Sequence, residues 1–200
     1  MSITNQKYDQ FSFGPLLIKT KIHPEDLEKI RKVAEKKGRT HHQNLAGVIE
    51  KEYVINMEKF VPIVSPYFET FVHAARQWSG QIMLGKMKFV DAWVNYMVAG
   101  EYNPPHVHSN CNISSVLFLK VPKTLKKEND YWVKEKKIQS SGPGTIMFMY
   151  GELGFYTCID RTFLPEEGDL FIFPASLRHF VAPFVSKGER ISIAANAVLE

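Results

Sequence analysis

The spacing of hydrophobic residues changes near residue 85. Ahead of that point they recur at helical intervals. In "HPEDLEKIRKVAEKKG", residues 23–38, Leu27, Ile30 and Val33 fall on one face of a helix. Pro24 suits its first turn, Glu25 and Asp26 suit its positive amino end, and Gly38 marks the stop. "SPYFETFVHAARQWSG", residues 65–80, predicts a second helix. Ser65 reads as its cap, Pro66 as its first position, and Phe68, Phe71, Val72 and Ala75 as its buried face. His73 on this helix reads as structural or exposed.

Beyond residue 85 the runs shorten and turn residues separate them. "KFVDAWVNYMV", "ISSVLFLKVP", "GTIMFMYG", "GFYTCID", "GDLFIFP", "HFVAPFV" and "RISIAANAVL" are rich in β-branched and aromatic residues and predict strands. Short strands at this spacing make a sandwich or barrel, here mainly β with amino-terminal helices packed on one side. The expected organisation is one domain over residues 1–200, with 1–84 as helical support and 85–200 as the strand-rich core. Residues 123–137 interrupt the pattern: six lysines and three acids supply three of the four net positive charges of the chain. They predict a solvated hairpin or loop, or a flap beside a substrate opening.

The net charge of +4 is too mild for a dedicated nucleic-acid surface, so no nucleic-acid partner is expected. No run approaches the roughly 18 apolar residues of a membrane span, and "MSITNQKYDQF" lacks the layout of a signal peptide. Cys111 and Cys158 cannot build a disulfide framework, which points to a reducing, cytoplasmic location. Cys111 reads as a small buried or half-buried side chain. The oligomeric state is left open, a homodimer included.

"PPHVHSN", residues 104–110, carries the first candidate chemistry. Side chains two apart on a strand share a face, with Cα atoms about 6.6 Å apart at about 3.3 Å of rise per residue. His106 and His108 can therefore converge on one first-row metal, or be two surface histidines beside a turn. The adjacent pair His41–His42 has no such logic, because neighbours on a strand face opposite ways. His179 follows 71 residues after His108, with Arg190 eleven further on and Ser192 two beyond that. If the strands around "SKGE" pair as a hairpin, His179, Arg190, Ser192 and Asn196 share one face. A tight turn at Lys187–Gly188 would leave Arg190 about 20 Å from His179 at strand rise. A wider connection, opened by Pro183, is expected to bring Arg190 back.

This layout resembles the Fe(II)- and 2-oxoglutarate-dependent oxygenases, whose fold is a double-stranded β-helix, or jelly roll. It is most similar to a bacterial and phage group that has H-x-H where prolyl 4-hydroxylases have H-x-D. The similar stretches are "NLAGVIEKEY", "AWVNYMVAGEYNPPHVHSN", "ISSVLFLKVP" and "GDLFIFPASLRHFVAPFVSKGERISIAANAVL", within about residues 40–200. The resemblance implies that His106 and His179 ligate iron and that His108 stands where the family's carboxylate usually is. It implies that Arg190 pairs with the distal carboxylate of 2-oxoglutarate, since a guanidinium fork matches a carboxylate, and that Ser192 bonds the same group. Asn95 and Tyr102 stand where the family often places co-substrate hydrogen bonders, core or turn roles being the alternative.

His108 is the departure. Two histidines and a carboxylate leave an Fe(II) centre with one net positive charge, whereas three neutral histidines leave both. That strengthens the hold on an anionic co-substrate, weakens the hold on the metal, and blurs iron with zinc or copper. The implied activity is a dioxygenase that hydroxylates a substrate C–H bond, releasing succinate and CO2. Its substrate is expected to be a small molecule or a peptide or protein side chain. The alternatives are a three-histidine, cupin-like metalloenzyme of the thiol dioxygenase type, which has no use for Arg190, and a non-catalytic jelly-roll binding protein.

Overall fold

The computed structural model describes residues 14–34, 40, 46–80 and 85–200. Gly38, His41, His42 and the amino-terminal stretch lie outside the described residues. Two antiparallel sheets dominate. The larger contains β1 (Ile18–Lys21), β2 (Glu52–Val54), β3 (Met87–Met97), β5 (Ile113–Lys120), β8 (Asp169–Pro174) and β10 (Arg190–Leu199), ordered β1-β8-β5-β10-β3-β2. The smaller contains β4 (Asn103–His106), β6 (Ile146–Met149), β7 (Asp160–Phe163) and β9 (Arg178–Val181), ordered β4-β9-β6-β7. From β3 to β10 the chain crosses repeatedly between the two, which is the expected double-stranded β-helix.

Strand parity sorts the core into two layers. Val94 and Tyr96 of β3, Leu117 and Leu119 of β5 and Ile193 and Ala195 of β10 face outward, under the helices. Met97, Phe118, Phe171 and Phe173 face inward and pack with Ile146, Phe148 and Val181 of the small sheet. The covering helices are α1 (Pro24–Val33), which buries Leu27 and Ile30, and α2 (Met57–Ser79), which buries Phe60, Val64, Phe68, Phe71, Val72 and Ala75.

The second helix starts eight residues earlier than its expected cap at Ser65. Asn56 caps it instead, its side chain accepting from the Lys59 N–H at 3.2 Å. Pro62 and Pro66 lie inside it, and Ser65 Oγ donates back to the Val61 carbonyl at 2.8 Å. The apolar face of Phe60, Val64 and Phe68 runs straight through both prolines, so burial outweighs their lost donors. Gly80, at φ 66°, ends the helix as expected. His73 is exposed.

Three further expectations are corrected. Residues 123–137 form no hairpin: α3 (Lys123–Asp130) runs into a π-helical turn, Tyr131–Glu135. Leu125 anchors it in the inner core, and Glu128 accepts from the Val185 and Ser186 N–H groups. "GFYTCID" is irregular up to Ile159, with a turn at Phe155–Tyr156 where Tyr156 takes a φ of 62°. Its strand begins only at Asp160, opposite Met149. Finally, β9 and β10 are not a hairpin. β9 pairs with β4 and β6, and β10 pairs with β3 and β5 in the other sheet. Pro183 lies where the chain leaves one sheet for the other, and as a residue without an N–H it cannot extend the ladder.

Candidate active site

The cavity between the sheets has a volume of about 380 Å3, within the usual range for small-molecule sites. His106 ends β4 directly opposite His179 on β9, and His108 follows just beyond the strand. The backbone N–H of His108 donates to the Ala175 carbonyl at 3.0 Å, which fixes it there. Candidate ligand nitrogens of the three imidazoles all lie within 4.8 Å of one another. Nε2 of His108 is 3.3 Å from Nε2 of His179. Two nitrogens each about 2.1 Å from one ion stand about 3 Å apart when they meet it at a right angle. The spacing suits a shared first-row metal.

The outer nitrogens of two rings are fixed by backbone. Nδ1 of His106 pairs with the Pro104 carbonyl at 2.7 Å, and Nδ1 of His179 with the Leu177 carbonyl at 2.9 Å. A carbonyl demands a donor, so Nδ1 carries the proton and Nε2 presents its lone pair to the cavity. His108 differs. Its Nδ1 faces the Asn196 amide at 3.5 Å, and the Asn196 Oδ1 accepts from Ser114 Oγ at 2.8 Å. Turning that amide over would give Nδ1 an acceptor and free Nε2 as in the other two rings.

Burial lowers the pKa of all three rings. It brings His108 to about 4, with help from the charge of His106, and His179 to about 3, with help from His106 and then His108. They are neutral, ligand-competent imidazoles at physiological pH.

Arg190 opens the far end of β10. It is 1% exposed, and burial pushes its pKa down to about 9. Nη1 donates to the Gly144 carbonyl at 3.3 Å and Nη2 to Met97 Sδ at 2.8 Å, while Nε has no partner. The guanidinium lies over the Phe118 ring, 5.4 Å from its centroid. No carboxylate pairs with it among the described residues. A buried charge without a counter-ion is costly, so this end of the cavity suits a small carboxylate.

Alternation along β10 turns Ser192 and Asn196 into the same cavity, and Asn95 of β3, paired with Ser192, lines it too. Tyr102 is not brought in: it is 39% exposed, and its backbone bridges to Val48. Cys111 is half-buried and Cys158 exposed, both free thiols. Two cavity features had no signal in the sequence. Glu52 is a lone acid in a short strand, and burial, reinforced by the charge of Glu101, raises its carboxyl to about 7. Gly144 holds the carbonyl that receives Arg190, from a left-handed φ of 71°.

Residues 91–196 match the family described as "Putative 2OG-Fe(II) oxygenase". No curated protein matches the chain. Among solved structures it is similar to an oxidoreductase of the 2OG-Fe(II) oxygenase family from Burkholderia pseudomallei, at 11% identity and TM-score 0.58, over 91% of this chain and 84% of that one. It is similar to a prolyl hydroxylase from Trichoplax adhaerens in complex with a hypoxia inducible factor oxygen degradation domain peptide fragment, at 9% identity and TM-score 0.56, over 91% and 83%. HygX from Streptomyces hygroscopicus with nickel, 2-oxoglutarate and hygromycin B bound is similar at 10% identity and TM-score 0.51, over 93% and 83%. At these identities the structural likenesses speak for the fold.

Proposed function

Because the chain belongs to the 2OG-Fe(II) oxygenase family, we propose that the cavity between its sheets is the active site, with His106, His108 and His179 as the Fe(II) ligands and Arg190 as the anchor of 2-oxoglutarate. The single observation that carries this assignment is the pairing of features in one cavity: three converging neutral imidazoles at one end and a buried guanidinium lacking an anion at the other. The thiol dioxygenase alternative would leave that guanidinium without purpose.

With Fe(II) and 2-oxoglutarate bound, the site supplies oxidative decarboxylation by O2, giving succinate and CO2 and inserting oxygen into a substrate C–H bond. The protein's own part is positional. The Pro104 and Leu177 carbonyls hold the His106 and His179 rings with Nε2 inward. Arg190 offers a planar fork to the distal carboxylate, and the Ser192 hydroxyl and Asn95 amide line the path from there toward the imidazoles. Trp93, whose ring centroid is 5.8 Å from that of His108, helps exclude water from the metal end. Tyr102 has no part in this assignment.

The strand-rich core over 85–200 carries the metal and co-substrate groups, with the amino-terminal helices as its support and β2 adding Glu52 to the cavity. The substrate is a peptide or protein side chain or a small molecule, in keeping with the peptide and the hygromycin B held by two of the similar structures. Among the described residues no helix is long and apolar enough to cross a membrane, and the two free thiols suit a reducing cytoplasm.

Succinate release tests the assignment. The expected result is Fe(II)-dependent conversion of 2-oxoglutarate to succinate by the wild type, reduced at least 100-fold in His106→Ala and His179→Ala and reduced in His108→Ala. Undiminished turnover in those variants would overturn the ligand set. Tight 2-oxoglutarate binding without any succinate would mark a non-catalytic binding protein.

A further inference from the structure

The cavity has a second polar focus, on the edge of the large sheet. Glu52 on β2 stands opposite Asn95 of β3, and Asn95 stands opposite Ser192 of β10. Partners directly across adjacent strands project from the same sheet face, so the three form one row, and all three line the cavity. Glu52 is only 1% exposed. Neither of its carboxylate oxygens has a hydrogen-bond partner among the described residues, and neither does Asn95 Oδ1. The charge that acts on Glu52 most is Glu101, of the same sign. Three buried oxygens thus lie in one row of side chains with no hydrogen-bond partner among the described residues.

The co-substrate does not fill this need. At neutral pH 2-oxoglutarate is a dianion whose two carboxylates and keto oxygen only accept hydrogen bonds. Anchored on Arg190 and reaching along β10 toward the imidazoles, it would leave Glu52 unsatisfied and add repulsion. The other reactant is then the source of a donor for the ionised carboxylate. A proton neutralises the carboxyl but turns one of its oxygens from acceptor to donor, whereas a cation neutralises the ionised form and satisfies both oxygens at once.

We propose that Glu52, with Asn95 Oδ1 beside it, is a specificity-determining element of this oxygenase and receives a protonated nitrogen of the substrate, an ammonium or a guanidinium. This rests on the assignment of the cavity as the 2-oxoglutarate site. Arg190 then selects the anionic reactant and Glu52 the cationic one, and Asn95 lies in the row between Glu52 and Ser192. The shared chemistry is that of a lysine or arginine side chain and of a small free amine.

Ligand-observed NMR on the full chain with Zn(II) and 2-oxoglutarate, repeated without metal, separates these cases. The probes are n-butylammonium and methylguanidinium as free ions, blocked Ala-Lys-Ala and Ala-Arg-Ala as peptide forms, and 1-pentanol and blocked Ala-norleucine-Ala as neutral counterparts. The expected result is binding of cations at least tenfold tighter than of their neutral counterparts. That preference is lost in Glu52→Gln and partly kept in Glu52→Asp, while 2-oxoglutarate binds Glu52→Gln at least as tightly as wild type because a repelling charge has gone. Tighter binding of the peptide forms than of the free ions indicates a protein substrate, and the reverse a small amine. Equal binding of charged and neutral probes, or cation binding that survives Glu52→Gln, overturns the proposal. Loss of the 2-oxoglutarate signal in the wild type would fault the co-substrate assignment instead, and the cation preference would still be read from the same samples.

Discussion

Arg190 and Glu52 are buried ionisable groups of opposite sign in one cavity, and neither is neutralised by the other through an ion pair among the described residues. Each carries a stability cost that a ligand would relieve, and each predicts a different signature. Replacing a buried unpaired charge by an apolar residue of similar length is often stabilising. Arg190→Met is therefore expected to melt higher than the ligand-free wild type while losing 2-oxoglutarate affinity by at least about 30-fold, the lower end for truncating a buried charged pair. A lower melting temperature with unchanged affinity would mean that Arg190 is a structural residue.

For Glu52 the sign follows from linkage. Its carboxyl rises from 4.5 to about 7 in the folded protein, so the folded state binds the proton more tightly. The stability this provides is complete below 4.5 and is lost as the pH rises toward 7. Glu52→Gln lacks that loss. Its stability relative to wild type should grow between pH 4.5 and 7.5, by up to about 3 kcal/mol, and level off above. A difference that stays flat with pH in denaturant titrations would show that the carboxyl is not perturbed.

At the scale of elements, the arginine anchor depends on a helix that the sequence disguises as a loop. Leu125 of α3 is fully buried, and a Cβ placed on Gly144 would stand 2.4 Å from its Cδ1. Gly144→Ala would meet that contact and also a left-handed backbone that costs roughly 1–2 kcal/mol with a side chain. Either the buried Leu125 side chain gives or the Gly144 backbone shifts, and with the backbone goes the carbonyl that receives Arg190. The expected outcome is a destabilised protein with weaker 2-oxoglutarate binding, partly restored by Leu125→Ala in the same chain. Unchanged affinity in Gly144→Ala would detach the loop from the site.

The periodic elements were legible in the sequence, because a long apolar stripe or a strict alternation reports the buried face directly. What escaped has local reasons. The lysines of α3 hide the one leucine that seats it. "NPPH" carries two prolines and still forms β4, because an edge strand tolerates missing donors. His106 sits where strand parity puts it, whereas His108 lies just past the strand and is held by the Ala175 carbonyl. Arg190 enters the cavity by a crossing between sheets, where the sequence led to the expectation of a wide connection at Pro183 but not of a change of sheet. Glu52 gave no signal at all, since a single acid in a three-residue strand carries no period.

For the whole molecule, ligands that bind only the folded state raise its stability, by about 2.7 kcal/mol at a hundred times the dissociation constant. In a chain of this size each kcal/mol is worth about 2–4 °C. Metal should raise the melting temperature on its own, and 2-oxoglutarate should add a second increment only when metal is present. Arg190→Met should lose the second increment alone, and His179→Ala both. An increment from 2-oxoglutarate that persists in Arg190→Met would place the co-substrate elsewhere on the protein.

The most direct measurement is the optical spectrum of the anaerobic protein with Fe(II) and 2-oxoglutarate, for wild type beside His179→Ala and Arg190→Ala. A metal-to-ligand charge-transfer band that weakens without Arg190 and vanishes without His179 is the predicted result, because one cavity then holds both iron and co-substrate. Stoichiometric iron with no band in the wild type, or a band indifferent to both substitutions, would contradict it.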